Sequence, residues 1–317
     1  MKFVILGGAG FIGSQLATRL LEDKHHVVCI DSLVSGTEAH VSKLLLNPNF
    51  SFHILDVRNS KELAAFISND SVVVHLASNP DIAAAATDPR IDFVNGTLIT
   101  ESALEATRMS GAKNFIYASG SGVYKENYEA QLREDSPLEP ISTYGASKLS
   151  GEAMASAYSF MFGISVTVLR FANVVGPRQT HGVGYDFLRR LKSDSKVLHV
   201  RGDGNQRKPY IHVNDVVEAL IFAFRTKLAN YDAFNVSVLD SLTVKEIAEL
   251  AILAADIDLT KIEIRYETNQ RGWLGDVPVV SLDSNKLRSL GWVSRMNSRD
   301  AMRDSLNAMW NELNTSA

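Results

Sequence analysis

The chain has 317 residues, of which 45% are hydrophobic and 21% are charged, and its formal net charge is −4. This composition excludes a disordered chain, and the absence of a basic block from the sequence excludes a nucleic-acid-binding footprint. The single cysteine, Cys29, excludes an intrachain disulfide and fits a reducing compartment.

The first apolar segment of the chain is short. Lys2–Leu6 stops at a run of glycines, which is too early for a signal peptide or a membrane span. We therefore expect a cytoplasmic protein. The length suggests one large domain or two modest ones. No metal site is predicted.

Short apolar runs alternate with longer helical patterns through the first half of the chain. The predicted strands are Lys2–Leu6, Val27–Ile30, Phe50–Leu55, Val72–Leu76, Asn114–Ala118 and Ser165–Arg170. The predicted helices are Ile12–Glu22, Ser60–Phe66, Ile91–Met109 and Ser147–Met161. Near-continuous apolar strands are typical of a parallel sheet that is covered on both faces. The alternation predicts an α/β fold with a Rossmann-type doubly wound parallel sheet.

The pattern changes after about residue 173, where glycine and proline cluster in segments typical of loops over a cleft. The apolar stretch Val216–Phe224 is a candidate for a return to the core. Helical patterns at Thr243–Ala255 and Asp300–Leu313 predict a smaller C-terminal, substrate-binding lobe. We expect a dinucleotide-binding domain over 1–172, rejoined by about 211–238. The second lobe is expected to comprise 173–210 and 239–317.

A glycine-rich turn over residues 7–13 connects the first predicted strand to the first predicted helix. Two glycine spacings fit the motif, one beginning at Gly7 and one at Gly8, and both continue with Gly10 and Gly13. Glycine lets the backbone approach a pyrophosphate closely, and the following helix presents free N–H groups to the anion. The residues predicted to contact a dinucleotide here are Gly7, Gly10, Phe11, Ile12 and Gly13.

Two acidic residues follow the next two strands. Asp31 ends the second strand, where a carboxylate can accept hydrogen bonds from the adenosine ribose. It would repel a 2′-phosphate, and the segment from Ser32 to Ser35 has no Arg or Lys to bind one, so the sequence favours NAD over NADP. Asp56, before Val57, is a candidate contact for the adenine amino group or, alternatively, a helix cap.

The segment from Ser142 to Lys148 contains a Tyr-x-x-x-Lys pattern formed by Tyr144 and Lys148. Positions i and i+4 share one face of a helix, so the phenol and the ammonium can converge. A nearby Lys⁺ and the positive nicotinamide ring favour the phenolate, which makes Tyr144 a candidate general base. The alternative for such a pattern on its own is a solvated helix face.

Taken together, these motifs resemble the extended short-chain dehydrogenase/reductase family, in its nucleotide-sugar epimerase/dehydratase branch typified by UDP-galactose 4-epimerase. The resemblance covers essentially the whole chain. Its carriers are residues 7–13, Asp56-Val57, His75-Leu76-Ala77-Ser78, Asn95-Gly96-Thr97, Tyr144–Lys148, Arg170–Arg178 and Gly202–Gln206. Further cofactor contacts implied by the resemblance are Leu76, Ala77, Ser78, Asn95 and Phe171.

The family places a Ser or Thr just before a Val-Tyr pair, where it completes a triad with the Tyr and Lys. The commonest family spacing from Val123 falls on Gly120, which has no hydroxyl. The resemblance implies Ser119 as the first choice and Ser121 as the reserve, contacting the sugar C4 oxygen. Whichever serine is not catalytic would be a strand cap.

The residues beside the candidate serine indicate the type of reaction. Dehydratases and decarboxylases of this branch place an acidic residue beside the Ser/Thr, whereas Gly120, Ser121 and Gly122 provide none. The resemblance therefore implies a UDP-glucose/galactose-type 4-epimerase, in which Tyr144 removes the O4 proton and tightly bound NAD takes and returns hydride. The alternatives are another NDP-sugar dehydratase, decarboxylase or oxidoreductase, and a non-catalytic NAD-binding protein. Gly120 and Lys208-Pro209, which replaces the family's Arg-Asp, motivate the non-catalytic reading.

The resemblance also implies a set of substrate contacts and a partner. Asn173 matches a family Asn that touches the substrate diphosphate, and an Arg can clamp phosphate with a bidentate fork. The alternative for each Arg is a surface charge. The candidate substrate-binding residues are Ser119, Asn173, Arg178, Val183, Arg207 and Arg271. A homodimer through helices Ile91–Met109 and Ser147–Met161 is implied, although their apolar positions also fit an intramolecular core.

Overall fold

The computed structural model describes residues 1–79, 83–127, 131–226, 230–268, 271–272 and 275–315. The chain forms two compact units, each assembled from separate stretches of sequence. The first unit comprises Met1–Val123, Leu138–Arg170 and Val217–Phe234. The second unit comprises Tyr124–Pro137, Phe171–Val216 and Asn235–Ala317.

The regular elements are numbered in chain order. The strands are β1 Lys2–Leu6, β2 His26–Asp31, β3 Phe50–Ile54, β4 Val72–His75, β5 Asn114–Gly120, β6 Ser165–Phe171, β7 Asn173–Val175, β8 Val197–Val200, β9 Arg207–Lys208, β10 Tyr210–His212, β11 Tyr231–Val236, β12 Leu242–Thr243 and β13 Glu263–Tyr266. The helices are α1 Phe11–Glu22, α2 Ser60–Ala64, α3 Arg90–Asp92, α4 Ile99–Ser110, α5 Thr143–Phe162, α6 Val183–Ser193, α7 Val213–Arg225, α8 Val244–Ala254, α9 Asn285–Ser289 and α10 Ser298–Thr315. Short 3₁₀ turns occur at Glu38–His40, Ser42–Leu46, Ala83–Ala86 and Ser121–Val123.

The central element of the first unit is a seven-stranded parallel sheet in the order β11-β6-β5-β4-β1-β2-β3. β1 lies between β2 and β4, and its register pairs Val4 with Val28 on one side and with Val73 on the other. Helices flank the sheet, so the predicted Rossmann-type α/β class is confirmed. The strand order reverses between β1 and β4, which is where open sheets of this kind bind ligands.

Apolar side chains from both faces of this sheet form the core of the first unit. Strands β1 and β4 are almost fully buried, because their runs of Val, Ile and Leu have no polar position facing solvent. α1 contributes the buried side chains Leu16 and Leu20, spaced four apart on one helix face. Burying each Leu or Val of this kind stabilises the fold by about 1.5–3 kcal/mol.

The helix predicted over Ile91–Met109 is interrupted. Between α3 and α4 the chain forms a π-helical segment, Phe93–Leu98, in which Asn95 has non-helical backbone angles of φ −100° and ψ 17°. Gly96 approaches α5 so closely that an added Cβ would lie 2.5 Å from Ser147 Oγ. Periodicity does not reveal a π segment, because the helical pattern continues on both sides of it.

Two further elements differ from expectation. α5 begins at Thr143 rather than Ser147, because the Ser142 side chain caps it by accepting a hydrogen bond from Gly145 N. The sheet also has an edge strand, β11, that was not predicted. Its sequence begins with Tyr231 and Asp232, so it lacks the continuous apolar run of the central strands.

The second unit has its own core, formed by α6, α8 and α10 with the small sheets around them. β7 pairs with β10 and β8 with β13 in parallel, and β9 pairs with β12 antiparallel. α8 begins with a capping box, in which Thr243 and Glu246 bond each other's backbone. Within the described part of the chain, no helix has the length and apolar character needed to cross a bilayer.

Candidate active site

The glycine turn forms a tight backbone cradle between β1 and α1. Gly7 has φ +84°, in the left-handed region that favours glycine, and its N–H donates to Ile30 O over 2.8 Å. A Cβ at Gly13 would lie only 2.2 Å from Gly7 O. Gly10 precedes α1 without a side-chain cap, so the positive end of the helix dipole at Phe11 is open to an anion.

The carboxylate of Asp31 is buried beside this cradle. One of its oxygens accepts a hydrogen bond from Ala9 N over 3.0 Å, and the other accepts one from Leu33 N over 2.9 Å. Each carboxylate oxygen has a second lone pair, so the group can still accept hydrogen bonds from a ribose. Ser32, the next residue, is exposed.

The second acidic candidate has a different environment. Asp56 is paired with Arg58, whose guanidinium lowers the pKa of the Asp56 carboxylate. The backbone N–H of Arg58 also donates to this carboxylate over 2.9 Å. The cap of α2 is Asn59, which accepts a hydrogen bond from Glu62 N, so the alternative of Asp56 as that cap is wrong. Val57 is buried in the core.

The loop that follows β4 meets the glycine cradle. A Cβ at Gly7 would lie 2.8 Å from Ala77 N, and Leu76 N donates to Leu6 O over 2.9 Å. Ser78 Oγ is buried in this loop beside the Tyr144 phenol, whose pKa it acts to lower. A hydroxyl at this position can hydrogen-bond the phenol or a bound ligand.

Tyr144 and Lys148 share the first turns of α5. Lys148 is buried, its Nζ donates to Ala118 O over 2.9 Å, and it lies 5.6 Å from the centre of the Tyr144 ring. Ala118 is near the end of β5, so the pair stands beside the carboxyl ends of the strands. The convergence expected from the i, i+4 spacing is present in the structure.

The electrostatics of the pair depend mainly on burial. Burial raises the pKa of Tyr144 to about 12, the Ser78 hydroxyl acts to lower it, and the negative charge of Asp92 raises it further. Burial lowers the pKa of Lys148 to about 8, against the opposite effects of Glu152 and Asp92. Without a bound cation, Tyr144 is therefore a protonated phenol at neutral pH. A positive nicotinamide ring would favour its phenolate.

The first-choice serine belongs to a buried ionic network. The Ser119 hydroxyl donates to Glu152 over 2.5 Å, and Glu152 forms an ion pair with Arg170 over 2.6 Å. Glu152 and Arg170 are 2% and 3% exposed. The Ser119 proton is thus engaged with Glu152. Sequence reasoning missed Glu152, although its position four residues after Lys148 places it on the same helix face.

The reserve serine lies in the turn after β5. Ser121 is partly buried and begins the 3₁₀ turn Ser121–Val123. This turn packs against α5, because a Cβ at Gly145 would lie 2.1 Å from Gly122 O. The Ser121 turn is therefore in contact with the residue that directly follows Tyr144.

A buried carboxylate that sequence reasoning missed completes this group. Asp92, on α3, accepts a hydrogen bond from Asn79 Nδ2 over 2.8 Å and another from Thr143 Oγ1 over 2.7 Å. Thr143 directly precedes Tyr144, and Asn79 directly follows Ser78. No spacing in the sequence indicated that these three segments meet.

The other predicted cofactor residues lie in both units. Asn95 is partly buried in the π segment of the first unit, a type of distortion that is frequent at functional sites. Phe171 is buried and belongs to the second unit.

In the second unit, Arg271 is held by two acceptors. Its guanidinium donates to Glu126 over 2.9 Å and to the carbonyl oxygen of Asp276 over 2.6 Å. The Asp276 carboxylate in turn forms an ion pair with Lys208. The neighbouring Trp273 and Leu274 lie outside the described residues.

The remaining substrate candidates are also in the second unit. Arg207 is exposed on β9, and Val183 packs against the core of this unit. Asn173 Nδ2 donates to Pro209 O over 3.5 Å. Arg178 has φ +69°, and its backbone N–H donates to Glu312. Arg207 forms a bridge with Val279, and its neighbour Lys208 pairs with Asp276, whose carbonyl oxygen accepts from Arg271.

The residues of the first unit fit NAD. The cradle has no room for a Cβ, Asp31 presents acceptors at the end of β2, and the buried Ser78 hydroxyl lies in the loop that meets the cradle. The backbone of Phe11 and Ile12 forms the first turn of α1 beside them. Within the described residues, no group of three His, Cys, Asp or Glu side chains is arranged to hold a metal ion.

Fold and site together define a dinucleotide-binding α/β protein with a Tyr–Lys pair beside its sheet. The sequence pattern of the NAD dependent epimerase/dehydratase family matches residues 3–237. The chain belongs to this family, and the predicted family and NAD cofactor are confirmed.

Several characterised proteins are similar over most of the chain. The UDP-glucose 4-epimerase of Mycolicibacterium smegmatis is 32% identical over 231 residues, which is 70% of this chain and 73% of that protein. The crystal structure of a UDP-galactose 4-epimerase has a TM-score of 0.88 at 35% identity, covering 99% of this chain and 100% of the other. UDP-glucuronic acid 4-epimerase from Bacillus cereus, solved with UDP-glucuronic acid and NAD, has a TM-score of 0.87 at 27% identity, with coverage of 99% and 100%.

Proposed function

We propose that this protein is a 4-epimerase of UDP-sugars of the glucose/galactose type that works with tightly bound NAD. The observation that carries the proposal is the Tyr144–Lys148 pair, in which Lys148 is buried and Tyr144 is partly buried, together with the glycine cradle. Relatives that are 4-epimerases of UDP-glucose, UDP-galactose and UDP-glucuronic acid support the substrate class.

In this proposal NAD supplies a hydride acceptor that later returns the hydride to the sugar. Tyr144 takes the proton of the C4 hydroxyl and gives it back to the epimeric alcohol. Lys148 stabilises the Tyr144 phenolate through its charge, and its own position is fixed by the Ala118 carbonyl. The phenol starts protonated in the free protein because burial raises its pKa. A positive ring bound beside Tyr144 would favour the phenolate and so make Tyr144 available as a base.

We assign the third hydroxyl of the site to Ser121. The Ser119 proton is engaged with the Glu152 carboxylate, and moving it would leave a buried charge short of a donor. Ser121 lies in the turn that contacts α5 just after Tyr144. Its hydroxyl is therefore the better candidate for the sugar C4 oxygen.

We further propose that the first unit binds NAD and that the second unit supplies the diphosphate contacts. The supporting feature is the concentration of cationic side chains at Arg207, Lys208 and Arg271. A guanidinium now held by Glu126 can exchange that carboxylate for phosphate oxygens of similar geometry. A cytoplasmic location fits the single, buried thiol of Cys29.

The test is turnover of a panel of UDP-sugars without added NAD, analysed by mass and by NMR. The proposal expects one 4-epimer with unchanged mass. A product of altered mass would identify a dehydratase or decarboxylase. No product from any sugar, with NAD bound, would favour a non-catalytic NAD-binding protein.

We also propose a homodimer through α4 and α5. Large apolar side chains are exposed at the end of α5, where Phe160 is 93% and Met161 68% exposed, and Met109 on α4 is 44% exposed. Exposed apolar patches of this kind mark interaction surfaces. Light scattering should give twice the chain mass, and Phe160→Glu should give the monomer mass; a wild-type monomer would contradict the proposal.

A further inference from the structure

We propose that Asp92 is a positioning residue for Tyr144, an inference that rests on the function proposed above. Its carboxylate joins the segment that carries Tyr144 to the loop that carries Ser78. Thr143, on one side, is the residue before Tyr144, and Asn79, on the other, is the residue after Ser78. One buried group thus sets the separation of Tyr144 from the loop that follows β4.

The bonding of Asp92 is well matched to this role. The residue is 1% exposed, and each of its oxygens accepts one short hydrogen bond. A buried carboxylate is tolerated only when it is hydrogen-bonded or paired with charge. Because both donors come from other segments, any displacement of α5 or of the β4 loop would leave this charge unsatisfied. The carboxylate therefore resists such displacement.

The charge of Asp92 also acts on the pair. It raises the pKa of Tyr144, in addition to the larger effect of burial, and it raises the pKa of Lys148. The other titratable groups in this electrostatic environment are Lys148 and Glu152 on α5, His75 on β4 and Tyr117 on β5. His75 is neutral, since burial lowers its pKa to about 3, and Arg170 neutralises Glu152. The negative charge of Asp92 thus adds to the larger effect of burial in favouring the protonated phenol.

Two variants separate the hydrogen bond from the charge. Asp92→Asn keeps the size of the side chain but removes the charge and one of the two acceptor oxygens. Thr143→Val keeps the charge and removes the bond to the residue beside Tyr144. Asp70→Asn, at an exposed carboxylate of the same unit, is the matched control for a charge change alone.

The first readout is the titration of Tyr144 in NAD-bound protein, followed by ¹³Cζ-tyrosine NMR and assigned by the signal lost in Tyr144→Phe. Removing a nearby negative charge makes the phenolate easier to form, so Asp92→Asn should lower the midpoint by about one pH unit. Thr143→Val and Asp70→Asn should leave it within a few tenths of wild type. An unchanged midpoint in Asp92→Asn would overturn the electrostatic part of the proposal.

The second readout is steady-state turnover. Thr143→Val should lower kcat roughly ten- to hundredfold with KM nearly unchanged, because small displacements of a reacting group are costly. Full kcat in Thr143→Val would overturn the positioning role. If Asp92→Asn fails to fold, as judged by thermal unfolding, Thr143→Val still decides that role. If no UDP-sugar is turned over, the proposed function fails, but the Tyr144 titration still tests Asp92.

Discussion

The two units use charged side chains in opposite ways. In the first unit, Asp92, Lys148, Glu152 and Arg170 are all buried, and each is fixed by hydrogen bonds from neighbouring elements. In the second unit, Arg271 is only partly buried, and one of its acceptors is the Glu126 carboxylate, which we propose a phosphate replaces. A buried, fully bonded set of charges suits proton transfer, whereas cations with exchangeable partners suit the capture of a phosphate.

This difference implies that changes in the first unit act on kcat or on stability and that changes in the second unit act on KM. Four predictions test it, beginning with the largest expected effect.

Tyr144→Phe removes the proposed base and leaves the cradle intact. Turnover should fall by roughly 10³–10⁴-fold, in the upper part of the range for general acid–base catalysis. NAD content, measured after denaturation of the purified protein, should stay near that of wild type. A turnover rate within tenfold of wild type would contradict the role of Tyr144 as the general base.

Glu152→Gln should unfold the protein more easily. Breaking a buried ion pair removes the charge that balances Arg170, at a cost of about 3–5 kcal/mol in the free energy of unfolding. Denaturant titration measures this change. Glu105→Gln is the control, because its pair with Arg108 is largely exposed and should contribute little. An equal decrease in the free energy of unfolding in the two variants would show that the buried ion pair contributes no more to stability than the exposed one.

Ser121→Ala should lower kcat by about a hundredfold, the effect expected when one donor to a reacting oxygen is lost. Ser119→Ala should instead act mainly on stability, because its hydroxyl bonds a buried carboxylate, with a smaller effect on kcat. Parallel kinetics and thermal unfolding distinguish the two. The reverse ranking in kcat would return the catalytic role to Ser119.

Arg271→Ala should raise KM roughly ten- to hundredfold, since a hydrogen bond to a charged group contributes about 1.5–3 kcal/mol. Glu126→Gln should act in the opposite direction and lower KM a few-fold, because it removes the competing carboxylate. Arg265→Ala, at an exposed ion pair of the same unit, serves as the control. A fall in kcat at constant KM in Arg271→Ala would contradict the assignment of substrate binding to the second unit.

The sequence predicted those parts of the site whose residues lie close together along the chain. The glycine turn and the Tyr144–Lys148 pair each lie within one short segment, so their geometry follows from a turn or a helix period. Most of the sheet was predictable for the same reason, since its central strands are continuous apolar runs. The edge strand β11 was not, because its first residues are polar or half-buried.

The remaining parts depend on contacts between distant segments. Asp92 accepts a hydrogen bond from Thr143, the residue before Tyr144, which lies 51 positions further along the chain. No local sequence pattern predicts that contact. The choice between Ser119 and Ser121 depends on the direction of each side chain at the end of β5, which family spacing does not specify. One of the acceptors of Arg271, Glu126, likewise lies 145 positions away in the sequence.

The most direct test of the proposed chemistry uses a UDP-sugar carrying deuterium at C4. Transfer of that atom to bound NAD and its return to the same carbon predict a 4-epimer that keeps deuterium at C4, with none lost to water. NMR of the product locates the label. Loss of deuterium to solvent, or its migration to another sugar carbon, would contradict the account.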